Sequence, residues 1–456
     1  MLATFKSGRP GMTSIDMLLR NGAEFIVNLS CSPWTWRKND KRHRVIKDRI
    51  SENPVPFIYI NNVGIQNNGK NIFLFDGNST FYNPDGSLKS IADDYKEQLL
   101  QETIFAKTKK IAQRPELSYE RDLEELYHGL VYGIRKFFAQ YGFKKAVLGL
   151  SGGVDSALSA ALLSKAIGSE NVYGINMPTR FNSNTTKDIA LDLATNLGMH
   201  YSIIPIEESY HYTVEQLNKA SFEQKDASKT ITQVELTGLN TENVQARDRG
   251  SRVLAGVASA IGAVFTNNGN KSETALGYAT LYGDVNGAIA PIADLYKTEV
   301  FDLCRFINKT EGRTIIPEKI FEIPPSAELS DAHNVDEGKG DPIYYPYHDK
   351  LLRAFIVFRL DPENILEMYI KGTLATHFHC EQSLISNHFT SDEAFINDLE
   401  KMWRLYKINI FKRIQSPPIL TVSKRAFGFD LREAQLPIYQ TRKYKELKKG
   451  LLGVIK

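Results

Sequence analysis

The sequence predicts an α/β protein built on a doubly wound parallel sheet, and three observations support this fold class. A short apolar run at residues 146–150 leads into a Ser-Gly-Gly turn and then into a helical pattern that ends near Gly168. Further apolar runs at 171–178, 200–205 and 263–266 alternate with helical patterns. Alternating strands and helices, with a glycine turn at the end of the first strand, are typical of this fold.

Length and composition narrow the class of protein. The 456 residues allow two or three domains, and 42% apolar and 24% charged residues are ordinary for a globular protein. The net charge of +3 does not favour a nucleic-acid partner. Cys31, Cys304 and Cys380 are far apart and form no CxxC pair, which argues against a disulfide scaffold or a zinc site and suits a reducing compartment.

The sequence also bears on location. No apolar run approaches the roughly 18–20 residues of a membrane span, and the first ten residues lack the apolar core of a signal peptide. We therefore expect a cytoplasmic protein without a membrane partner.

The turn after the first strand carries the clearest functional signal. A strand, a glycine turn and a helix together form an anion site, because bare backbone N–H groups and the helix dipole point at the ligand. Gly152 and Gly153 let the backbone approach closely, while Ser151 and Ser156 add hydroxyl groups. Asp155 would repel a phosphate unless a cation lay between them, so we interpret it as a Mg²⁺ ligand. The Gly-Lys-Ser/Thr ending of the common GTPase and ATPase loop is missing. The alternative is a generic strand, turn and helix with a capping serine.

The SGGVDS motif at residues 151–156 resembles the loop of the N-type ATP pyrophosphatases, which cleave ATP between the α- and β-phosphates and adenylate a substrate oxygen. An ordered set of motifs then resembles the NAD synthetase family over residues 123–430. In order, these motifs are GLSGGVDSA, ENVQAR, GNKSE, GYATLYGD, PIADLYKT, PPSAEL, SPPI and SKRAFGFD. The resemblance implies the adenine nucleotide alpha hydrolase-like form of the predicted sheet.

The resemblance also implies a role for each matching residue. The residues expected to bind ATP are Gly149, Leu150, Ser151, Gly152, Gly153, Val154, Asp155, Ser156, Asn268 and Lys297. The expected Mg²⁺ ligands are Asp155, Glu273 and Ser326. The residues expected to bind the dinucleotide substrate are Asn243, Arg247, Glu273, Asp284 and Lys424. The catalytic group would consist of Asp155, Glu273 and Lys297. Asn268 departs from the family, in which many members have Thr or Ser. The backbone near Met177 would lie against adenine.

The implied reaction is the amidation of nicotinic acid adenine dinucleotide. The pyridine carboxylate attacks the α-phosphorus of ATP, pyrophosphate leaves, and ammonia converts the acyl-adenylate into NAD and AMP. Because water would destroy the intermediate, we expect a closing lid, with residues 209–241 and 339–347 as the two candidates. The family also implies a homo-oligomer.

Residues 1–105 are predicted to form a partial nitrilase-like domain, 106–120 a linker and 121–456 the ATP-pyrophosphatase domain. Stretches at 28–33, 61–64 and 75–79 resemble the C-terminal part of the nitrilase-type glutaminase found in glutamine-dependent NAD synthetases. That glutaminase uses a Glu, a Lys and a Cys nucleophile. The nucleophile would fall near residues 3–6, where this chain has Ala-Thr-Phe-Lys. The resemblance therefore implies a truncated glutaminase that lacks its nucleophile. Cys31 is either a reactive replacement or a buried small side chain.

Local patterns in this region predict further elements. The expected helices are at 14–21, 37–49 and 92–110, the expected strands are at 25–29 and 57–60, and a hairpin is expected to join 72–75 to 79–82.

The leading interpretation is an NAD synthetase that uses free ammonia, and three alternatives remain. In the first, the chain is a fragment of a longer glutamine-dependent enzyme. In the second, it is another pyrophosphatase, such as a GMP-forming amidase, and in the third it is a non-catalytic nucleotide-binding relic. The ENVQAR and GNKSE motifs argue against the second alternative. The third predicts loss of Asp155, Glu273 or Lys297, and all three are present.

Overall fold

The computed structural model describes residues 14–104, 119–226, 228–330, 334–428 and 437–453. Most of the predicted linker, the end of the SKRAFGFD motif and the predicted position of the missing nucleophile lie outside these ranges. The described residues form two compact units. The first unit consists of 14–68, 72–137 and 421–423, and the second of 69–71, 138–420 and 424–453. Within the described ranges, no helix has the length and apolar character needed to cross a membrane.

Short elements make up the first part of the chain. In chain order these are α1 Ser14–Arg20, β1 Ile26–Ser30, α2 Lys38–Glu52, β2 Phe57–Asn61, β3 Val63–Asn68, β4 Asn71–Asp76, β5 Thr80–Tyr82, β6 Leu88–Ile91 and α3 Tyr119–Tyr141. Strands β1 and β2 are parallel, while β5 pairs antiparallel with both β2 and β6. Side chains of α2 and of these strands form the core of the first unit, among them Ile46, Ile50, Phe57 and Tyr82.

The predicted hairpin is wrong, because β4 and β5 belong to different sheets. Strand β4 lies beside β3, whereas β5 lies between β2 and β6. The reason is the turn after β4, where buried Asp76 accepts hydrogen bonds from Arg42 and Asn61 and where Gly77 and Asn78 both have positive φ. These contacts direct the chain out of one sheet and into the other.

The predicted helix at 92–110 is also wrong over its described part. Residues 92–104 have no helical backbone. The N–H groups of Ala92 and Tyr95 donate instead to the carbonyls of Ser79 and Asp76. Long-range pairing of these amides therefore overrides the local helix propensity of a charged stretch.

The second unit contains the longer elements. Those around its sheet are β7 Ala146–Gly149, α4 Val154–Ile167, β8 Val172–Asn176, α5 Asn184–Leu197, β9 His200–Ile203, α6 Glu207–Asn218, β10 Ser221–Glu223, β11 Ile231–Gln233, α7 Leu239–Arg247, α8 Ala255–Ala260, β12 Val264–Phe265, α9 Lys271–Leu276 and α10 Lys297–Glu311. The remaining elements are α11 Tyr345–Ile356, α12 Pro362–Ile370, α13 Leu374–Phe378, α14 Gln382–Ser386, α15 Asp392–Ile408, α16 Ile410–Gln415, β13 Ile419–Thr421 and α17 Arg442–Leu451.

A four-stranded sheet in the order β12-β7-β8-β9 organises this unit, and all of its pairings are parallel. Each of α4 and α5 connects two neighbouring strands. These features confirm the predicted doubly wound sheet. Because β7 lies between β8 and β12, the chain leaves β7 at the point where the strand order reverses. That is where open α/β sheets bind ligands.

The connection from β7 to α4 is tight. The Leu150 N–H donates to the Ile175 carbonyl at 2.9 Å, and α4 begins after Gly153. Gly152 has a φ of +85°, and a Cβ at this position would lie 2.1 Å from the Thr186 carbonyl oxygen. Only glycine fits both the backbone angle and the close approach.

The turn gives a matched pair of substitutions. We expect Gly152→Ala to lower the free energy of unfolding by about 2–4 kcal/mol, because it combines a positive φ with a backbone clash. Gly153→Ala should cost about 1 kcal/mol or less, because its Cβ meets only the Ser151 Oγ at 3.3 Å. Equilibrium urea denaturation gives the free energy of unfolding of both variants. Equal losses of stability in the two would contradict this explanation.

Candidate active site

A cavity of about 320 Å³ lies at the carboxyl ends of β7, β8 and β12. This volume is within the range of about 300–1,000 Å³ that is usual for ligand pockets. Of the residues predicted to be functional, those that line it are Gly149, Leu150, Ser151, Gly153, Val154, Asp155, Ser156, Met177, Asn268, Glu273, Asp284, Lys297 and Ser326. The fold thus brings most of the predicted site together in one place.

Four described residues of the predicted site do not line this cavity. Gly152 packs against the backbone of Thr186, and Lys424 is exposed. Asn243 accepts a hydrogen bond from Thr280 Oγ1 at 2.7 Å. Arg247 is exposed and donates from Nε to the Leu281 carbonyl at 3.1 Å. The contacts of Asn243 and Arg247 therefore support the turn that precedes Asp284.

Lys297 joins the two carboxylates that the sequence places far apart. Its ammonium donates to Asp155 and, at 3.1 Å, to Glu273 Oε1. The three residues lie in the first turns of α10, α4 and α9, so that three helices begin at the same point. The side chain of Lys297 is only 5% exposed, whereas those of Asp155 and Glu273 are 17% and 18% exposed toward the cavity.

The electrostatics of this group follow from one ammonium facing two carboxylates. Burial alone would lower the pKa of Lys297, but Asp155 and Glu273 more than offset burial and hold that pKa above its usual range. Burial raises the pKa of Glu273, with Asp155 adding to the rise and Lys297 opposing it. The group therefore keeps a cationic lysine, whereas the raised pKa of Glu273 favours the neutral form of that carboxyl group.

Asn270 is a site residue that the sequence analysis did not single out. Its Oδ1 accepts the backbone N–H of Glu273 at 3.0 Å, which caps α9, and its Nδ2 donates to Asp155 Oδ1 at 3.0 Å. The side chain thus links the start of α9 to Asp155 in α4. An Asn just before a helix is a capping signal that could have identified it.

Asp341 is a second residue that the sequence analysis missed. It lines the cavity and accepts hydrogen bonds from the hydroxyls of Tyr278 and Tyr345 at 3.1 and 2.9 Å. The Lys297 ammonium lies 5.2 Å from the Tyr345 ring centre, so the same tyrosine contacts both charges. No local pattern marks an Asp between Gly and Pro as part of a site.

The turn after β7 bonds partly to itself. Ser151 Oγ accepts the N–H of Gly153 at 3.2 Å, and Ser156 Oγ donates to the Gly153 carbonyl at 2.9 Å. The helix α4 has 14 residues, and its N-cap, Gly153, has no side chain to cap the first turn. The amides of that turn are therefore available as anion donors at a helix start that lines the cavity. Asn268 secures the turn by donating from Nδ2 to the Gly149 carbonyl at 3.0 Å.

The segment that carries Ser326 is fixed by a buried glutamate. Glu328 accepts hydrogen bonds from the Ser183 N–H at 3.1 Å and from Thr186 Oγ1 at 2.7 Å, and it has a positive φ of 46°. Its N–H donates to Ser326 Oγ at 3.2 Å. This segment thus forms a fixed wall of the cavity.

The two segments predicted as lids differ in their relation to the cavity. The segment 339–347 contributes Asp341 to the wall. The described part of 209–241 forms α6, an exposed hairpin of β10 and β11, and the start of α7, and it does not line the cavity.

Comparisons with known proteins agree with this site. The model of the NAD synthase family matches residues 126–378. A glutamine-dependent NAD(+) synthetase from Synechocystis sp. is 36% identical over 428 residues, which covers 93% of this chain and 67% of that protein.

Two solved structures are also similar. One is a glutamine-dependent NAD+ synthetase from Acinetobacter baumannii in complex with adenosine diphosphate, with a TM-score of 0.59 at 27% identity, covering 92% of this chain and 69% of that one. The other, a glutamine-dependent NAD(+) synthetase from Cytophaga hutchinsonii, shares the fold with a TM-score of 0.69 at 19% identity, covering 95% of this chain and 71% of that one. Because the family model spans more than half of the 456 residues and the Synechocystis relative aligns over nearly the whole chain, the chain belongs to the NAD synthase family of ligases.

Proposed function

We propose that this chain converts nicotinic acid adenine dinucleotide into NAD by ATP-dependent amidation, through an acyl-adenylate and with release of AMP and pyrophosphate. The observation that carries the proposal is the Lys297 ammonium, bound by Asp155 and Glu273 beside the uncapped first turn of α4. Adenylation moves negative charge onto a departing pyrophosphate, and a buried cation next to free amides is the arrangement that stabilises such charge.

The first step is adenylation of the substrate. A bond forms between the pyridine carboxylate oxygen and the α-phosphorus of ATP, and the bond from that phosphorus to the bridging oxygen of pyrophosphate breaks. The amides of Val154 and Asp155 would hold phosphate oxygens. Lys297 would stabilise the negative charge that develops on the leaving pyrophosphate, because its raised pKa keeps the ammonium protonated. These groups are fixed before the reaction, which lowers the cost of reaching the transition state.

The residues present also fit a Mg²⁺ ion. Asp155 and Glu273 place two carboxyl groups at the cavity beside one lysine. Among the described residues no three His, Cys, Asp or Glu side chains form a closed metal cage. Mg²⁺ commonly takes one or two carboxylates and completes its shell with phosphate oxygens and water. When bound, the ion would neutralise phosphate charge, and Ser326 would stand near it in the cavity wall.

The second step is amidation. Ammonia attacks the acyl carbon, AMP leaves, and a proton is lost from nitrogen. The acyl-adenylate must be kept from water during this step. The wall anchored by Glu328, together with the segment that carries Asp341, supports such exclusion.

Free ammonium is the nitrogen source we propose. The amidation site requires only ammonia, whatever its origin. In the first unit Cys31 is exposed, so the expectation of a buried small side chain is wrong. Its thiol contacts the Asn62 side-chain amide at 3.8 Å, which is not a basic group that could activate a nucleophile. A homo-oligomer remains a prediction from the family.

The whole proposal is tested by following AMP and NAD formation from ATP, Mg²⁺ and nicotinic acid adenine dinucleotide. We expect turnover with ammonium and none with glutamine, because only ammonium supplies the nucleophile directly. No turnover with saturating ammonium would refute the proposed function. Equal turnover with glutamine would refute only the choice of nitrogen source.

Lys297→Met should reduce kcat by about 10²- to 10³-fold, the usual loss when a donor to developing charge is removed. Lys165→Met is the matched control, because Lys165 lies on the surface of α4, pairs with Glu311, and should leave kcat unchanged. The measurement is AMP formation on protein whose folded state is verified by circular dichroism. A loss below about fivefold in Lys297→Met would contradict the role of this cation.

Asp155→Asn should raise the Mg²⁺ concentration needed for half-maximal activity by about 10- to 100-fold, because an amide binds Mg²⁺ more weakly than a carboxylate. Asp188→Asn, an exposed change on α5, is the control and should leave the requirement as it is. The measurement is a Mg²⁺ titration of AMP formation at fixed ATP. The same Mg²⁺ requirement in both variants would argue against Asp155 as a ligand.

A further inference from the structure

A buried hydrogen-bond network holds the first turn of α10, where Lys297 is the first residue. The backbone N–H of Lys297 donates to Ser272 Oγ at 3.0 Å. The Ser272 hydroxyl donates in turn to Asp349 Oδ1. The next backbone N–H, that of Thr298, donates to Asp349 Oδ2 at 2.8 Å. Ser272 and Asp349 are 0% and 3% exposed, so water does not compete for these bonds.

This network joins the helices that carry two of the cavity's charged groups. Ser272 directly precedes Glu273 in α9, and Asp349 lies in α11. One carboxylate of α11 therefore binds α10 directly through Thr298 and binds α9 through Ser272. A shift of Asp349 would move both helix starts together.

A second contact keeps α11 in place against α10. Arg353, one turn after Asp349, donates to Glu299 Oε1 at 2.6 Å. The other oxygen of Glu299 accepts the Tyr296 N–H at 2.9 Å, immediately before α10. The residue spacing on α11 thus places Asp349 and Arg353 on one face, and both of them secure the start of α10.

Asp349 is a described residue that does not line the cavity, and the proposed reaction does not use it. Its carboxyl group is costly to keep in this position, because burial raises its pKa to about 6 despite the hydrogen bonds from Ser272 and Thr298. A neutral side chain of similar size would avoid that cost. A neutral amide has only one acceptor oxygen. It therefore cannot replace a carboxylate whose two oxygens accept hydrogen bonds from two different helices.

We propose that Asp349 is a positioning residue for the reaction: through Ser272 and the first turn of α10 it holds Lys297 and Glu273 in the arrangement that the chemistry requires. The proposal rests on the proposed function. A misplacement of about 1 Å in a reacting group can cost about 100-fold in rate. We expect the loss of activity to appear in kcat rather than in KM, because Lys297 acts on charge that develops after ATP has bound.

The test compares Asp349→Asn and Asp349→Ala with Ser272→Ala in the full chain. The matched control is Asp361→Asn, which removes another helix-capping carboxylate of the same unit, the acceptor for the Asn364 N–H in α12. The nearly isosteric Asp349→Asn is included because Asp349→Ala leaves a buried gap.

In the ammonium-dependent assay, Asp349→Ala should lose about 10- to 100-fold in kcat, and Asp349→Asn less, because its amide oxygen still accepts one bond. The KM for ATP should change by less than about threefold, and Asp361→Asn should match the wild type. In the double variant that carries both Asp349→Ala and Ser272→Ala, the loss in kcat should be smaller than the two single losses combined, since both substitutions break the same network. An unchanged kcat per folded molecule, with only the melting temperature lowered, would overturn the proposal.

Amide hydrogen exchange gives a readout that does not depend on activity. The N–H groups of Lys297 and Thr298 should exchange about tenfold or more faster in Asp349→Ala, with little change in α12. Unchanged exchange at these two amides overturns the proposal whatever the kinetics. An inactive wild type refutes the proposed function, and the exchange data then still decide whether Asp349 fixes the start of α10.

Discussion

The ammonium of Lys297 between the carboxylates of Asp155 and Glu273 is the contact on which the site depends. Because the lysine is almost fully buried, its charge depends on the carboxylates beside it, which hold its pKa above the usual range despite burial. Removing the cation from such a buried group typically costs about 3–5 kcal/mol, because the carboxylates then face each other without a partner of opposite charge. The starts of α4, α9 and α10 must therefore coincide. The geometry of the sheet and the charge of the site constrain each other.

The helix that carries Glu273 illustrates how this constraint is met. Helix α9 has only six residues, too few to be stable by itself. At its N-terminus Asn270 supplies the cap, and at its C-terminus the carbonyls of Ala275 and Leu276 accept hydrogen bonds from Arg413 and Asn409, both at 2.7 Å. Side chains distant in sequence thus replace the bonds that a longer helix would make internally. The position of Glu273 is consequently set by tertiary contacts rather than by helix propensity.

This dependence explains what could be predicted from the sequence. The strand, turn and helix at 146–167 follow from local patterns, because an apolar run, a glycine with positive φ and a helical repeat each act within a few residues. The prediction of a hairpin between 72–75 and 79–82 is wrong, because contacts of Asp76 with distant side chains decide where β5 pairs. Asp341 was missed for the same reason: its partners Tyr278 and Tyr345 are brought to it only by the fold.

A second buried lysine shows which feature separates a site from a structural contact. Lys271 is two residues before Glu273 and pairs with Asp294 at 2.7 Å, with the two side chains 0% and 1% exposed. The Lys271 ammonium also donates to the Arg425 carbonyl at 2.7 Å. Both side chains are closed off from solvent, and neither lines the cavity. At Lys297, by contrast, one ammonium is shared by two carboxylates that face a cavity. A cation bound there would favour the ionised form of Glu273, whose pKa is raised by burial and by Asp155. The exposure of two carboxyl groups to a cavity, rather than burial itself, is therefore the physical basis for proposing the reaction at this group.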